Sequence, residues 1–385
     1  MMRVQCFLLL LLALLAVVVT GAPRRTATEA FEAAASPEER LQQTCGIAHR
    51  SFVYYLDMAM HERLHRASDV LSQHLFLDRF LREPPSKDAW HGRLTRVVDD
   101  FVGSVEQARA QCRQRRVVWC GLMRQAAHLV SAVRSRVETL GALFADYHVV
   151  IVENNSTDGT RAQLLAWAAA DKEHVTILCD SEFMTNQPEC QLAGILARSD
   201  DPTHKSNEVT RIRKMSMLRN LYVRYIRRHY AQWDYAMVLD LDLQGTLFVD
   251  SVLHAVHTLS ENDDVDVVAA NGQLWNPLLG RYGYYDSFAF VGHDQGRTYW
   301  TDGGEKQLHD WYVHDRITAR LQHQHEPLPV RSAFGGCALY RMRSFLRGAY
   351  GHARDKQLCC EHSIFHNQMN VLIDPHFVFL IDVNQ

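Results

Sequence analysis

The sequence lacks an excess of charge of either sign. Its 385 residues carry 41 Lys and Arg against 44 Asp and Glu, a formal net charge of −3. A nucleic-acid-binding domain is usually clearly basic, so this balance argues against nucleic acid as a partner. With 47% hydrophobic and 22% charged residues, the composition also excludes disordered and collagen-like chains. One large or two ordinary globular domains are predicted.

Long apolar runs are scarce as well. The one at residues 7–19 follows a single Arg and precedes small residues up to Ala22, as in a secretory signal. No later segment is apolar over the roughly 18 residues that a second membrane span needs. We therefore expect a signal peptide or signal anchor over residues 1–22. The protein is expected in the Golgi or ER lumen, secreted or anchored as a type II protein, and in contact with the membrane only through an uncleaved anchor.

Cys-x-x-Cys spacing is absent, which argues against a zinc ribbon. Nine cysteines are present, and loss of Cys6 with the signal leaves eight for a compartment where thiols oxidise. Disulfides are expected, although the sequence does not define their pairing. Cys179 and Cys190 bracket a short polar stretch and form the easiest local pair, whereas Cys120 lies in an apolar run and is compatible with a buried thiol.

Residue patterning divides the rest of the chain in two. Residues 23–115 show helical spacing and predict a helical stem and N-terminal cap, whereas in residues 116–385 short apolar runs alternate with amphipathic stretches, as in an α/β domain. Strands are predicted at Val117–Leu122, His148–Glu153, Val175–Cys179, Tyr235–Leu239, Val265–Ala270, Tyr284–Phe290 and Ala338–Tyr340. Helices are predicted at about Ala126–Leu140, Thr160–Ala170 and Val209–Tyr230.

Two carboxylates follow the strand at Tyr235–Leu239. Asp240 and Asp242 lie at a period-two spacing where the strand gives way to a loop, so both can reach a hard divalent cation. Such a cation is suited to neutralising a diphosphate leaving group. A solvated strand end that caps the next helix would show the same pattern, and the residues alone leave both interpretations open.

Polar residues also follow the strand at His148–Glu153. Glu153 and Asn154 close this strand, and the next residues, 156–159, have the types that cap a helix and ease a turn. A strand, turn and helix cap would account for this segment without any ligand. Asn154 and Asn155 each begin an Asn-x-Ser/Thr sequon, and a glycan there would block a nucleotide pocket lined by this loop.

A basic segment, RIRKMSMLRN, covers residues 211–220. Arg213 and Arg219 lie six residues apart, roughly on opposite sides of an ideal helix, so one helical face cannot present both. At least one is expected to be surface charge, and the others could reach a diphosphate.

Taken in order, seven segments carry a family resemblance. They resemble GT-A nucleotide-sugar glycosyltransferases, and above all the fungal capsule-type α-1,3-mannosyltransferases and related protist or large-virus enzymes, over about residues 116–380. The resemblance implies a GT-A-like, Rossmann-like mixed sheet, mostly parallel and flanked by helices. The segments are CGLMR (120–124), VENNSTDGT (152–160), RIRKMSMLRN, LDLDL around Asp240 and Asp242, YYDSFA (284–289), GGCALYR (335–341) and CEHSIFH (360–366).

The resemblance also implies an activity and a metal. A hexose, mannose first, would move from a nucleotide diphosphate sugar, GDP-mannose or a UDP-hexose, to a hydroxyl of a glycan or glycoprotein acceptor. Asp240 and Asp242 match the Asp-x-Asp motif of the family. Asp242 would ligate Mn²⁺ or Mg²⁺, and Asp240 would support the metal or the donor ribose. His362, or His366 one turn on, would add a nitrogen ligand, although a hydrogen-bonded helix face also accounts for both.

Donor-binding residues follow from the same positions. Glu153 would face the base and ribose, while Asn154 stands where an Asp is common in the family. Arg213, Arg219 and Asn220 match the basic helix before the metal motif, a diphosphate- or donor-binding element.

Catalytic candidates come from the last segments. Tyr285 and Asp286 match a stretch expected beside the transferred sugar. In an inverting enzyme Glu361 would be the general base that takes a proton from the acceptor hydroxyl. Gly335 and Gly336 would permit close backbone approach to donor or acceptor, or serve a bulge.

Two functions of other classes compete with this one. His61, Glu62 and His65 match the H-E-x-x-H pattern of zinc metalloproteases. Arg63 sits badly in a buried zinc helix and no third ligand follows at the spacing of one zinc-protease class, so coincidence is favoured. The His-rich residues 309–327 are interpreted as a polar loop and helix face. A catalytically inactive glycan-binding module on the same fold is the other alternative, and the presence of both Asp240 and Asp242 counts against it.

Overall fold

The computed structural model describes residues 47–48, 103–179, 185–189, 207–276, 281–293, 313, 327–352 and 359–381. The predictions for the signal, for most of the stem, for His61, Glu62 and His65, and for nearly all of residues 309–327 lie outside these ranges. Within them, no helix combines the length and the apolar character that a membrane crossing requires.

Eleven strands and six α-helices have defined bounds in the described ranges. The strands are β1 (Ile47–Ala48), β2 (Arg116–Met123), β3 (Asp146–Glu153), β4 (Val175–Leu178), β5 (Tyr235–Leu239), β6 (Gly245–Phe248), β7 (Val267–Asn276), β8 (Arg281–Tyr284), β9 (Leu328–Val330), β10 (Cys337–Arg341) and β11 (Val371–Ile381). The helices are α1 (Val130–Gly141), α2 (Thr160–Ala170), α3 (Asn207–His229), α4 (Val249–Glu261), α5 (Met342–Phe345) and α6 (Glu361–Phe365). Residues 103–112 are also helical.

The strands form one mixed sheet. Its order is β1-β6-β11-β7-β10-β5-β2-β3-β4, with β8 added to β7 and β9 added to β11. Strands β4, β3, β2 and β5 run parallel, as do β7 and β11, whereas β10 is antiparallel to both β5 and β7. Helices connect the parallel strands, as a right-handed crossover requires. The predicted mixed α/β sheet flanked by helices is confirmed.

Two apolar layers cover the two faces of the sheet. On β2, Val117 and Trp119 point into one layer, which α1, α2 and α4 cover, while Val118 and Cys120 point into the other, which α3 covers. Because both faces are buried, this strand reads as a continuous apolar run rather than an alternating one. Because β2 is packed on both faces, its position in the sheet is fixed. The start of the loop that follows it is therefore fixed as well.

The sequence prediction agrees closely with the structure in the part of the chain that forms the parallel strands β2 to β5. It agrees less well in the part after β5. Helix α2 and strand β5 have the predicted bounds, and α3 begins two residues before its predicted start. The strand predicted at Tyr284–Phe290 is wrong: β8 ends at Tyr284, Asp286 adopts a left-handed φ of 62°, and Ser287–Ala289 form a 3₁₀ turn. A residue with positive φ cannot continue a strand, which is why the chain turns here.

The cysteines of the described ranges fall into two groups. Cys112, Cys120, Cys337, Cys359 and Cys360 are buried thiols, as proposed for Cys120. Cys179 directly follows β4 and is disulfide-bonded. Its partner is not among those five, and the pairing with Cys190, outside the described residues, stays a prediction.

Candidate active site

The predicted polar residues collect at one edge of the sheet. Strands β2, β3 and β5 are parallel neighbours, so their carboxyl ends lie together. Glu153 ends β3 and Asp240 directly follows β5. This edge is where open α/β sheets bind ligands.

The chain that carries the two aspartates is packed tightly against β2. Leu241 is buried between Asp240 and Asp242. A Cβ atom at Gly121 would lie 2.3 Å from the Leu239 carbonyl oxygen and 2.7 Å from Leu241 Cγ, so only glycine fits there. Buried Leu241 thus anchors the loop, while Asp242 is exposed and Asp240 half-buried.

A buried arginine joins two of the predicted site residues. Arg219 Nη2 donates to Asp240 Oδ1 at 3.2 Å, and Arg219 Nε donates to Glu361 Oε1 at 3.1 Å. Asp240 follows β5, Arg219 belongs to α3 and Glu361 begins α6, so the contact gathers three separate segments of the chain. Charge-assisted bonds of this kind are the stronger class of hydrogen bond.

Burial and mutual repulsion act on the carboxyl groups near Arg219. Burial raises the pKa of Asp240 to about 7 against the opposing charge of Arg219, with Asp242 and Glu361 adding repulsion. Burial also raises the pKa of Asp286 well above its usual value, and the charges of Asp240 and Glu361 raise it further. The structure therefore brings Asp240, Asp242, Asp286 and Glu361 into one electrostatic group around Arg219.

This group fits a hard divalent cation held partly by substrate. Within the described ranges, no three His, Cys, Asp or Glu side chains are arranged as a complete metal cage. Mg²⁺ commonly takes only one or two carboxylates and completes its shell with water and substrate phosphates, so Asp240 and Asp242 suffice as protein ligands. A bound cation would offset the mutual repulsion of these carboxylates.

His362 and His366 differ in their surroundings. The His366 ring nitrogens lie 3.0 Å from Ser332 Oγ and 2.8 Å from Tyr340 Oη, the hydrogen-bonded arrangement considered above. His362 is buried and stacks on Phe334 with ring centroids 4.0 Å apart, and neither of its ring nitrogens has a hydrogen-bond partner in the described structure. Burial, together with the Arg219 charge, lowers the pKa of His362 well below its usual value. The neutral imidazole keeps free nitrogens, and its role as a metal ligand stays a prediction.

The loop after β3 uses Glu153 internally. Glu153 Oε1 accepts the Ser156 backbone N–H at 2.6 Å, and Oε2 accepts from Arg161 Nε at 2.6 Å. Asn154 is buried, and its Oδ1 has no partner among the described residues. Glu153 thus shapes the loop, and Asn154 carries the open acceptor. Their donor-binding roles stay predictions.

The basic helix separates its predicted residues. Arg219 is buried and Arg213 exposed, in agreement with the periodicity argument that one face cannot present both. Asn220 Nδ2 donates to the Tyr350 carbonyl at 2.8 Å, and Asn220 Oδ1 accepts the Tyr350 N–H at 2.9 Å. The Asn220 amide therefore fixes the segment around Tyr350.

Arg211 is a residue that the sequence prediction did not single out. It is exposed on α3. Desolvation raises the pKa of Asp242 and of Tyr285, and the positive charge of Arg211 acts against that rise on both groups. The charge of Arg211 therefore acts on the exposed aspartate, with a smaller effect than that of Arg219. Its place in the RIRK run was the available signal, but spacing alone did not distinguish it from Arg213.

The glycine pair has a structural explanation. Gly335 adopts a φ of 63°, and a Cβ there would lie 2.1 Å from the Ala270 carbonyl oxygen. The Gly336 carbonyl accepts the Asp240 N–H at 2.9 Å. Gly335 thus lies close to the Ala270 backbone, and Gly336 helps to hold Asp240 in place; the close approach to donor or acceptor stays a prediction.

A family model matches most of this region. The family described as Cryptococcal mannosyltransferase 1 matches residues 121–367, which is more than half of the chain. The chain belongs to this family. The predicted resemblance to capsule-type mannosyltransferases and the assignment to the glycosyltransferases are confirmed. No curated protein matches the sequence significantly.

Two solved structures are similar at low identity. One is the mannosyltransferase PcManGT from Pyrobaculum calidifontis in complex with GDP-Man and Mn²⁺, at 11% identity and a TM-score of 0.38, covering 74% of this chain and 66% of that one. The other is GalNAc-T7 with UDP, GalNAc and Mn²⁺, at 12% identity and a TM-score of 0.40, covering 70% of this chain and 44% of that one. This chain thus spans about two thirds of the length of PcManGT and less than half of the length of GalNAc-T7.

Proposed function

We propose that the protein is a metal-dependent glycosyltransferase that moves a hexose, mannose first, from a nucleotide diphosphate sugar to a hydroxyl of a glycan or glycoprotein. The observation that carries the proposal is the group of four carboxyl side chains around one buried guanidinium at the carboxyl end of β5. It occurs in a chain of a mannosyltransferase family. Strongly perturbed carboxyl groups in one place are typical of functional sites.

The proposed donor side of the site consists of the exposed Asp242 and Arg211 and the half-buried Asp240. Asp240 and Asp242 would hold Mn²⁺ or Mg²⁺, which when bound neutralises the charge that develops on the departing diphosphate. Asp242 is exposed, so ions in solution can approach it. Arg211, an exposed cation whose charge acts on Asp242, would attract the negatively charged donor.

The acceptor side is formed by Glu361. Arg219 holds one oxygen of this carboxylate, and the second, Oε2, lies 3.7 Å from Cys360 Sγ, a weak donor. An oxygen so lightly bonded can accept the proton of an acceptor hydroxyl, as a general base must in an inverting reaction. Asp286, close to both carboxylates, would lie beside the transferred sugar.

The proposed compartment is the Golgi or ER lumen. The N-terminal apolar run and the disulfide at Cys179 support a place in the secretory pathway, where thiols oxidise. The acceptor would then be a glycan or glycoprotein of that pathway.

The test uses the full chain expressed in a secretory host. GDP-mannose and UDP-hexoses are supplied with and without Mn²⁺, and released GDP and UDP are read separately. We expect Mn²⁺-dependent release from one donor. We expect this release to be lost in Asp242→Asn and retained in the matched control Asp264→Asn, which changes an exposed aspartate elsewhere.

The opposite outcomes identify the alternatives. A folded protein that releases no nucleotide, with glycan acceptors present, would favour the inactive glycan-binding module. Zinc-dependent casein cleavage that is lost in His61→Ala would favour the metalloprotease.

A further inference from the structure

Every nitrogen of the Arg219 guanidinium is bonded within the protein. Nε binds Glu361 and Nη2 binds Asp240, as described above, and Nη1 donates to Tyr222 Oη at 3.3 Å. The side chain is only 4% exposed. Three of its five N–H donors are thus used within the protein, and the burial of the side chain restricts the approach of a diphosphate to the other two.

Aromatic rings hold the same guanidinium in place. Its carbon lies 5.5 Å from the centre of the Phe334 ring and 5.6 Å from that of Tyr350. The Tyr350 backbone is itself clamped by Asn220, one residue along α3 from Arg219. Helix α3 therefore positions both Arg219 and, through Asn220, the Tyr350 ring that contacts it. Cation–π attraction between the guanidinium and the rings adds to the hydrogen bonds.

The two carboxylates would separate without this cation. Asp240 and Glu361 belong to segments 121 residues apart in sequence and carry like charges, so their proximity has to be enforced. An arginine fork can bond two oxygens at once with fixed geometry, whereas a lysine ammonium is a point charge that cannot reproduce both bonds.

We propose that Arg219 is a positioning residue: it fixes the metal-site carboxylate of Asp240 and the base Glu361 at one spacing, and it does not bind the donor diphosphate. This inference rests on the proposed function. It replaces the donor-binding role that the family resemblance implied for Arg219. The negatively charged donor would then be bound by exposed residues of α3.

The first experiment separates turnover from donor binding. The full-length wild type, Arg219→Lys and Arg224→Ala are compared for kcat of GDP release with GDP-mannose and Mn²⁺, and for GDP affinity by titration. Arg224→Ala is the matched control, because it removes an exposed arginine of the same helix that has no proposed role in the site. We expect Arg219→Lys to lower kcat by roughly 10- to 100-fold, the cost of a misplaced reacting group, with GDP affinity within about threefold of wild type.

Chemical rescue provides a second readout. Arg219→Ala leaves a space between Asp240, Glu361 and the two rings that has the shape of a guanidinium ion. Millimolar guanidinium should raise the kcat of Arg219→Ala by about tenfold or more and should leave that of Arg224→Ala unchanged. A merely structural loss would not respond. Circular dichroism of each variant establishes that it is folded.

Weakened GDP binding with an unchanged kcat in Arg219→Lys would overturn the proposal, because that pattern belongs to a donor ligand. Absence of nucleotide release from the wild type would instead contradict the proposed function. The bridge is then tested by urea unfolding of Arg219→Lys, Glu361→Gln and the double variant. Positioning predicts that the two single shifts in midpoint do not add, and additive shifts count against it.

Discussion

Two carboxylates of this sheet show opposite responses to burial. Asp374, in β11, is fully buried and accepts from His254 Nδ1 at 2.6 Å, Thr258 Oγ1 at 2.9 Å and the His376 N–H at 2.9 Å. Burial alone would raise its pKa, but the charge and hydrogen bond of His254, with those of His376, lower it to about 2. Asp240 has Arg219 beside it, and its pKa nevertheless rises to about 7.

The difference lies in the balance of donors and charges. Hydrogen bonds from two helix side chains and one backbone N–H converge on Asp374, in a strand whose register shifts between Asp374 and Val378. Asp240 shares its guanidinium with Glu361 and also lies near Asp242 and Asp286. The fold thus favours the charged form of Asp374 and disfavours that of Asp240, which agrees with the metal-binding role proposed for Asp240.

The largest effect is expected at Asp240. Asp240→Asn removes a metal-site carboxylate and should lower nucleotide release at least about a thousandfold. Because the folded state disfavours the charge of Asp240, its pKa is raised, and stability falls as pH rises from about 4 to about 7. The Asn variant, which cannot ionise, should be as stable as wild type or more stable at pH 7. Thermal unfolding checks the second claim, and a clear fall in Tm would contradict the comparison.

The reverse pattern is expected at Asp374. The lowered pKa of Asp374 corresponds to about 2 kcal/mol of stability at neutral pH, so Asp374→Asn should lose about that much. Nucleotide release per folded molecule should be unchanged, because Asp374 lies outside the candidate site. The measurement is urea unfolding at pH 7, with activity normalised to the folded fraction.

The contribution of Asp374 to the free energy of unfolding is expected to depend on pH. A carboxyl group with a lowered folded-state pKa stabilises the protein above its unfolded pKa, near 4, and loses that contribution as pH falls toward 2. The stability difference between wild type and Asp374→Asn should therefore shrink between pH 4 and pH 2. A difference that is constant over this range would mean that packing, and not the charge, stabilises this region.

Much of the fold was predictable because its signals are local. Strand β5 was predicted from a short apolar run, and helix α2 from helical periodicity. Both signals lie within a few neighbouring residues. Strand β11 was missed because Asp374, Pro375 and His376 interrupt its apolar run, and its pairing with β7 depends on contacts about a hundred residues away. Tertiary contacts of this length leave no period in the sequence.

The candidate site shows the same limit. The order of motifs identified Asp240, Asp242 and Glu361, and helical periodicity showed that Arg213 and Arg219 could not share a face. No spacing could show that Arg219 is enclosed by Phe334 and Tyr350, since these residues come from loops more than a hundred positions away. A basic residue before an acidic motif predicts donor binding, whereas the two carboxylates that Arg219 contacts are visible only in the structure.

The smallest effect is expected from a single donor to Asp374. Thr258→Val keeps the shape of the buried side chain but removes the Oγ1 bond to Asp374 Oδ2, and it should cost about 1 to 2 kcal/mol, since the acceptor is charged. The matched control is Ser260→Ala on the same helix, because Ser260 Oγ meets the neutral Tyr235 hydroxyl at 3.3 Å and should matter less. Urea unfolding of both variants measures the difference. With one donor fewer, the pKa of Asp374 should rise and the acid transition of Thr258→Val should begin at a higher pH. Equal losses in the two variants would mean that the donors to Asp374 do not set its charge, and the contrast with Asp240 would then rest on burial alone.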